Sequence, residues 1–460
     1  MKTFRWFILI YIIFCNILIA ENKIKLNLKK SIQLGLYRNY DLKYNKIEQL
    51  MKKKIISEKW RAFLPIFSIE YGNSYNVVPV QADTRINTLK FKITQPVYQG
   101  GRYYAAYKTA QIDYKTGNKL YSLLLNNIKA SIQKQYFSLI VQKEILSIQR
   151  KLVEHAKIQR DFAVEENKLG LLTSIDLAEI EAKYNSTQLD AIKAKNKLTD
   201  EYNKMKKILY MDWREKIVID ETIISNFSYK KIKQNLDSLI LYAYNQRKDL
   251  LKQYADLLKA NYNYKINKYY YLPEVSLNFE YTLSGEKFYP FTRQWNIGLQ
   301  FNFMYEGISA SENATYSKDI NKNGKSVSSS STVSPFSDLT YIRSYIQAEA
   351  NLKTLKVKLR QLYHDIAMDV EAKYSMANEK WELLNILSAR EKVLKKRDAV
   401  YKVKLQLGEA KRVDALKAEI EYYQAQVEKI QGILGYIDSI VDLEMAMGAD
   451  IGYLNLINSR

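Results

Sequence analysis

Leu169-Gly170-Leu171-Leu172-Thr173-Ser174-Ile175-Asp176 returns further along the chain as Leu407-Gly408-Glu409-Ala410-Lys411-Arg412-Val413-Asp414, a shift of 238 positions. Without gaps, the same shift carries Tyr184 onto Tyr422, Gln188 onto Gln426, Asp212 onto Asp450, Tyr107 onto Tyr345, Ala110 onto Ala348 and Tyr136 onto Tyr374. Earlier in each half the shift is 208, with Asp41-Leu42 repeating as Asp249-Leu250 and Leu64-Pro65 as Leu272-Pro273. A period of roughly two hundred residues exceeds any solenoid unit and means a duplicated domain. Two similar halves about a pseudo-symmetry axis suit a ring better than a single catalytic cleft. Both quoted stretches read as helix reversals, because Gly170 and Gly408 can take the positive φ that ends a helix. Thr173 then caps the return helix, with Asp176 three residues on. Lys411 holds the matching place at the second tip, so that cap is weaker, and helix initiation is a sufficient role for both Asp176 and Asp414.

Upstream of each tip lie two segments with a period of two. The first, about 66–77, sets Phe67, Ile69, Tyr71, Tyr75 and Val77 against Ser68, Glu70, Gly72, Ser74 and Asn76. The second sets Leu89, Phe91, Ile93 and Val97 against Lys90, Lys92 and Thr94. The third sets Val275, Leu277, Phe279, Tyr281 and Leu283 against Ser276, Asn278, Glu280 and Thr282. The fourth runs from Trp295 to Tyr305 and alternates in the same way. Each is about ten residues, the length of a tilted membrane-crossing strand. Aromatics cluster near the strand ends, as interfacial girdles do. A soluble half-buried sheet alternates identically. The polar face, with Glu70, Lys90, Lys92 and Glu280, reads as the lining of an aqueous lumen if the strands form a barrel. Four strands cannot close such a barrel, and unpaired edges cannot face lipid. A membrane-embedded version must therefore be an oligomer, and three copies would supply roughly twelve strands.

Between the strand pairs run helical stretches too long for a globule. One spans about 103–168 without proline and with Gly117 as its one glycine, and another spans about 341–407 with neither. Each would reach on the order of 100 Å at 1.5 Å per residue. Leu416, Ile420, Tyr423, Val427, Ile430, Leu434, Ile437 and Val441 make a heptad seam, and Leu125, Ile132, Leu139, Leu146 and Val153 recur every seven residues. A helix over about 28–63 and another over 174–210 would stack to match one long helix. The sequence therefore predicts an internally duplicated α+β membrane protein. Four transmembrane β-strands per chain would form a 12-stranded barrel as a homotrimer, continuous with a long α-helical coiled-coil barrel. Residues 21–212 form the first repeat, 213–240 a mid-height side segment with a short strand near Lys216, and 241–460 the second repeat. The two shifts differ by 30, the length of a Ser-rich insertion at 308–340 that reads as a flexible loop.

Residues 1–20 read as an export signal. Lys2 and Arg5 precede an apolar run from Trp6 to Ile19 that ends at Ala20. The lone cysteine, Cys15, falls inside it, so no disulfide or Cys-ligated metal is expected in the exported chain. The formal net charge is +22, but its Lys residues are interleaved with Glu and Asp along helices and form no basic block. That pattern argues against nucleic acid as a partner. His155 and His364 lie far apart without ligand spacing, and no phosphate loop or nucleophile motif occurs, so an enzyme is not expected, nor a cofactor or metal.

The residues resemble the TolC family of outer-membrane efflux channels over nearly the whole mature chain. Leu64-Pro65 and Leu272-Pro273 at strand entries carry the likeness, as does Gln95-Pro96-Val97-Tyr98-Gln99-Gly100-Gly101-Arg102 before an Ala-rich helix start. So do its weaker counterpart Asn302-Phe303-Met304-Tyr305-Glu306-Gly307 and the paired Leu-Gly tips. The resemblance implies a homotrimeric duct embedded in outer-membrane lipid and reaching into the periplasm. It implies docking to a periplasmic adaptor (membrane fusion) protein and to an inner-membrane transporter, of RND type or an ABC exporter. It also places Asp414 at the first of two acidic positions that ring the closed periplasmic pore. The second position is Lys417, so Asp414, Lys417 and Asp176 are the gate candidates, with alternating charge pairs in place of a doubly acidic ring. The expected function is the exit duct of a tripartite efflux system. Type I protein secretion or metal export would keep the fold and change the cargo, and a periplasmic coiled-coil scaffold would abandon the membrane.

Overall fold

The computed structural model describes residues 23–78, 81–219, 224, 227–287, 292–337 and 340–459. The expected export signal at 1–20, with Cys15, lies outside the described residues. The chain divides into two compact units. One draws on the described residues of Met1–Lys43, Ser122–Arg247 and His364–Arg460, the other on Tyr44–Tyr121 and Lys248–Tyr363.

The first half runs β1 (Lys23–Leu26), α1 (Leu28–Arg38), α2 (Tyr40–Arg61), β2 (Ile66–Val78), β3 (Gln81–Gln99), α3 (Arg102–Lys168) and α4 (Ser174–Ile208). Two short strands follow, β4 (Lys216–Ile219) and β5 (Phe227–Tyr229). The second half runs α5 (Leu236–Gln246), α6 (Lys248–Lys268), β6 (Glu274–Gly285), β7 (Thr292–Tyr305), β8 (Ile308–Asp319), β9 (Lys325–Ser334), α7 (Tyr341–Gln406), α8 (Arg412–Ala446) and β10 (Ile457–Ser459). Helix lengths of 11, 22, 67 and 35 residues in the first half recur as 11, 21, 66 and 35 in the second. The helix expected over 28–63 is two helices. Asn39 sits at φ −62°, ψ 125°, and its side chain accepts from Leu42 N at 3.0 Å to start the next helix. Arg247 breaks the second half in the same way, at φ −63°, ψ 127°.

In the larger unit the core is formed by the C-terminal portions of the long helices and by their return helices. Ile132, Tyr136, Phe137, Leu139 and Ile140 of α3 are buried, as are Tyr436, Ile437, Ile440 and Val441 of α8. Gly35 of α1 lies against Ile132 and Leu209 so closely that a Cβ there would collide with Ile132 Cδ1. β1 pairs in parallel with β4 and β10 antiparallel with β5. Buried Glu444 accepts from Gly452 N at 2.8 Å and Leu454 N at 2.9 Å, which ties the C-terminal segment to α8.

In the other unit, Gly117 of α3 leaves room for the Gln49 amide of α2. That contact explains a glycine in an otherwise glycine-free helix. Tyr270 stacks on Tyr341 at 4.8 Å between ring centroids. The sheet holds six antiparallel strands in the order β2-β3-β6-β7-β8-β9, where four were expected. The Ser-rich insertion is not a loop: it supplies β8 and β9. Glu306 (φ 46°) and Gly307 (φ 80°) both lie in the left-handed region, making a two-residue reversal of the kind that matches strand twist. The chain then folds back along β7 from Tyr305↔Ile308 to Gln294↔Asp319. Pro96 has no N–H to give the ladder, and the β3–β6 register shifts between Pro96 and Tyr98.

Candidate functional site: helix tips and a polar strand face

The two tips are built by the larger unit. After α3 the chain turns at Gly170 (φ 73°), and after α7 at Gly408 (φ 77°). Thr173 Oγ1 accepts from Asp176 N at 3.1 Å and donates to Asp176 Oδ2 at 2.8 Å, so the expected cap forms. Lys411 caps α8 without a side-chain bond, also as expected. An apolar plug fastens the tips from behind, with Ala156 and Ala163 of α3, Ile180 of α4, and Val413 and Leu416 of α8 buried together. Asp414 and Lys417 are exposed, one turn apart on α8, while Asp176 is half-buried.

Two polar clusters at the tips carry more than the expected residues do. Arg412, the first residue of α8, donates from Nε to Glu166 Oε2 at 2.9 Å and from Nη2 to Glu166 Oε1. Its Nη1 reaches Gln159 Oε1 at 2.8 Å, and the guanidinium lies 5.1 Å from the Phe162 ring centroid. The Arg412 bond holds the Glu166 carboxyl below its ordinary value, against the opposing pull of burial. Above this brace, buried Glu419 of α8 accepts from His155 Nδ1 at 2.7 Å and from Lys402 at 2.9 Å. Lys402 also bonds Asp398 at 2.9 Å. Burial works against the Lys402 ammonium, but the bonds to Glu419 and Asp398 outweigh it and raise its pKa. This His–Glu–Lys–Asp cluster ties α3, α7 and α8 together. His155 has no ligand-type spacing in the sequence, so its place in this cluster is not legible there. The Asp398/Lys402 spacing of four, and a charge at Glu419 beside an apolar seam, were its only signals.

In the other unit the charged residues assigned to a lumen do share one face. Glu70 stands opposite Lys90 and Lys92 opposite Glu280 in the ladders, with Lys90 Nζ 3.8 Å from Glu280 Oε1. Thr282 Oγ1 donates to Glu280 at 3.0 Å. Opposite charges alternate across the strands, so the face is polar without a dominant sign. Among the described residues no group of three or more His, Cys, Asp or Glu could hold a metal ion, and no helix is long and apolar enough to cross a membrane.

No protein-family model matches the chain, and no curated protein sequence matches it. Solved structures do. The CmeC outer membrane channel of Campylobacter jejuni matches over 92% of this chain and 85% of its own, with a TM-score of 0.72 at 16% identity. The MtrE outer membrane channel of Neisseria gonorrhoeae, in its open state, matches over 92% and 89%, with a TM-score of 0.71 at 14% identity. The outer membrane protein VceC of Vibrio cholerae matches over 92% and 96%, with a TM-score of 0.71 at 11% identity. The chain has the TolC-like outer-membrane channel fold. Within this channel fold the strands, the paired long helices and both tips are all present. The channel fold is what the repeated Leu-Gly tips and the Leu-Pro strand entries implied. The β8–β9 hairpin, with the short strands β1, β5 and β10, is what that expectation did not contain.

Proposed function

We propose that this protein is the outer-membrane exit duct of a tripartite efflux system. It passively conducts small molecules delivered by an inner-membrane transporter through a periplasmic adaptor. The observation that carries the reading is the sheet formed by β2, β3, β6 and β7. One face presents Phe67, Ile69, Phe91, Phe279, Tyr281, Trp295 and Ile297, as lipid requires. The other presents Glu70, Lys90, Lys92 and Glu280, as a water-filled lumen requires. A single chain cannot close this sheet, so the duct is a homotrimer contributing four strands per copy, with the helices extending into the periplasm. The Leu-Gly tips form the periplasmic end, with Asp414 and Lys417 of three copies around the pore and Asp176 behind them as a cap.

The experiment is fractionation and conductance on the same preparation. The mature chain should be extracted from the outer membrane as a heat-modifiable trimer and should give discrete single-channel steps in a planar bilayer. Cells lacking it should accumulate more of a fluorescent efflux substrate. A water-soluble monomer needing no detergent would overturn the proposal and leave the periplasmic scaffold.

A further inference from the structure

The ladder that defines the sheet also defines its two ends. Among the described residues β2 pairs with β3 alone and β9 with β8 alone. The two ends differ in chemistry. β2 presents an exposed apolar row, with Phe67 at 72% and Ile69 at 71% exposure. β9 presents Val327, Ser329, Ser331 and Val333 on the same side of the sheet.

Following the registers across the sheet shows where the apolar band stops. The row Ile69, Phe91, Tyr281, Trp295 continues into Lys318 and then Lys325, two like charges directly opposite one another. The row Val275, Phe301 continues into Glu312 and then Ser331. Glu312 there accepts from both Ser329 and Ser331. From the Val275 row to the Tyr281 row, the outward face of β6 and β7 holds no charge, whereas β8 and β9 place three in the same band. Charges on a lipid-facing strand surface are destabilising. β8 and β9 therefore do not belong in the wall that β7 forms, yet β8 pairs along its edge from Gln294 to Tyr305.

An exposed, apolar strand edge templates wrong pairing, and natural sheets cover such edges. We propose that the β8–β9 hairpin is a removable guard: it covers the β7 edge of the single chain and yields that edge to β2 of a second copy when the ring closes. The occupant that replaces it is chosen by amphipathic match. The row of β2 that includes Phe67 and Ile69 continues the band of β7, while the serine-rich edge of β9 does not. The two-residue turn at Glu306-Gly307 is the hinge, and the far end of the hairpin meets it there, since Ser337 N donates to Gly307 O at 2.9 Å. Hydroxyl-rich strands with few apolar side chains leave little apolar contact to break on release. This inference rests on the trimeric duct proposed above.

The test is a reversible lock in the full-length chain carrying Cys15→Ser. Gln300→Cys and Asn313→Cys stand opposite each other across the β7–β8 ladder, within the spacing a disulfide needs. Oxidised, this variant should remain monomeric in outer-membrane extracts, and adding reductant should restore the heat-modifiable oligomer. A second variant replaces residues 309–334 with a short Gly-Ser linker and should assemble to the wild-type yield. A locked chain that still forms oligomer, or a hairpin deletion that folds but stays monomeric, would overturn the guard and make β8 and β9 permanent staves. If the unmodified chain forms no oligomer under any of these conditions, the duct reading falls and the guard falls with it.

Discussion

Replacing Arg412 with Ala tests whether the second helix tip is held by the brace to α3. The side chains of Arg412 and Glu166 are 15% and 32% exposed, so the pair is neither fully buried nor freely solvated. Charge-assisted hydrogen bonds contribute about 1.5–3 kcal/mol when well shielded, and partial exposure trims that toward the low end. The stacking on Phe162 adds about 0.5 kcal/mol. The cation also sits at the N-terminus of α8, where the helix dipole disfavours it, and the Glu166 carboxylate offsets that. The net loss on truncation is about 2 kcal/mol, or roughly thirtyfold in a local opening equilibrium. Hydrogen–deuterium exchange of the purified protein should show the amides of residues 413–420 exchanging about thirtyfold faster in the variant, with the centres of the helices unchanged. Glu166→Ala and the double variant complete a cycle, and a coupling of about 1 kcal/mol or more is expected. The sign with pH follows from the lowered Glu166 pKa. The pair's contribution is complete above the ordinary carboxylate value and is lost as pH falls through the lower folded value. Wild type and Arg412→Ala should therefore converge in acid. Unchanged protection at the tip at neutral pH, or strictly additive single effects, would refute the brace.

Asp414→Ala should raise closed-state single-channel conductance if charges on neighbouring tips hold the pore shut, and an unchanged closed state counts against that gate. Burial pushes Asp438 up to about 6, with Lys134 opposing and Asp442 assisting. A raised carboxyl pKa means the folded protein gains stability as pH falls through about 6 toward the unfolded value. Asp438→Asn should accordingly raise stability above pH 7 by on the order of 2 kcal/mol, read as a higher melting temperature, and leave it nearly unchanged near pH 4; equal effects at both pH values would contradict this. Gly35→Val should cost about 1–3 kcal/mol by overpacking α1 against Ile132 and Leu209, read as a lower melting temperature. A neutral effect would mean that α1 shifts freely.

Periodicity alone determined much of this protein. The alternation at 66–77 and 275–283, the proline-free runs beginning near 103 and 341, and the repeated Leu-Gly tips depend on which face each side chain takes. That is a local property written in the order of residues. Thr173 and Asp176 were legible for the same reason, since a cap is made within one turn. The serine-rich segment was not, because its strands lack a continuous apolar face. Only the ladder with β7, entered through two positive-φ residues, makes them strands. The Arg412–Glu166 brace joins residues 246 positions apart, and the Glu419 cluster gathers three helices around one buried carboxylate. No spacing along the chain encodes such contacts: the energy that selects them appears only when the helices pack and exclude water, which is why they belong to the tertiary structure and not to the sequence.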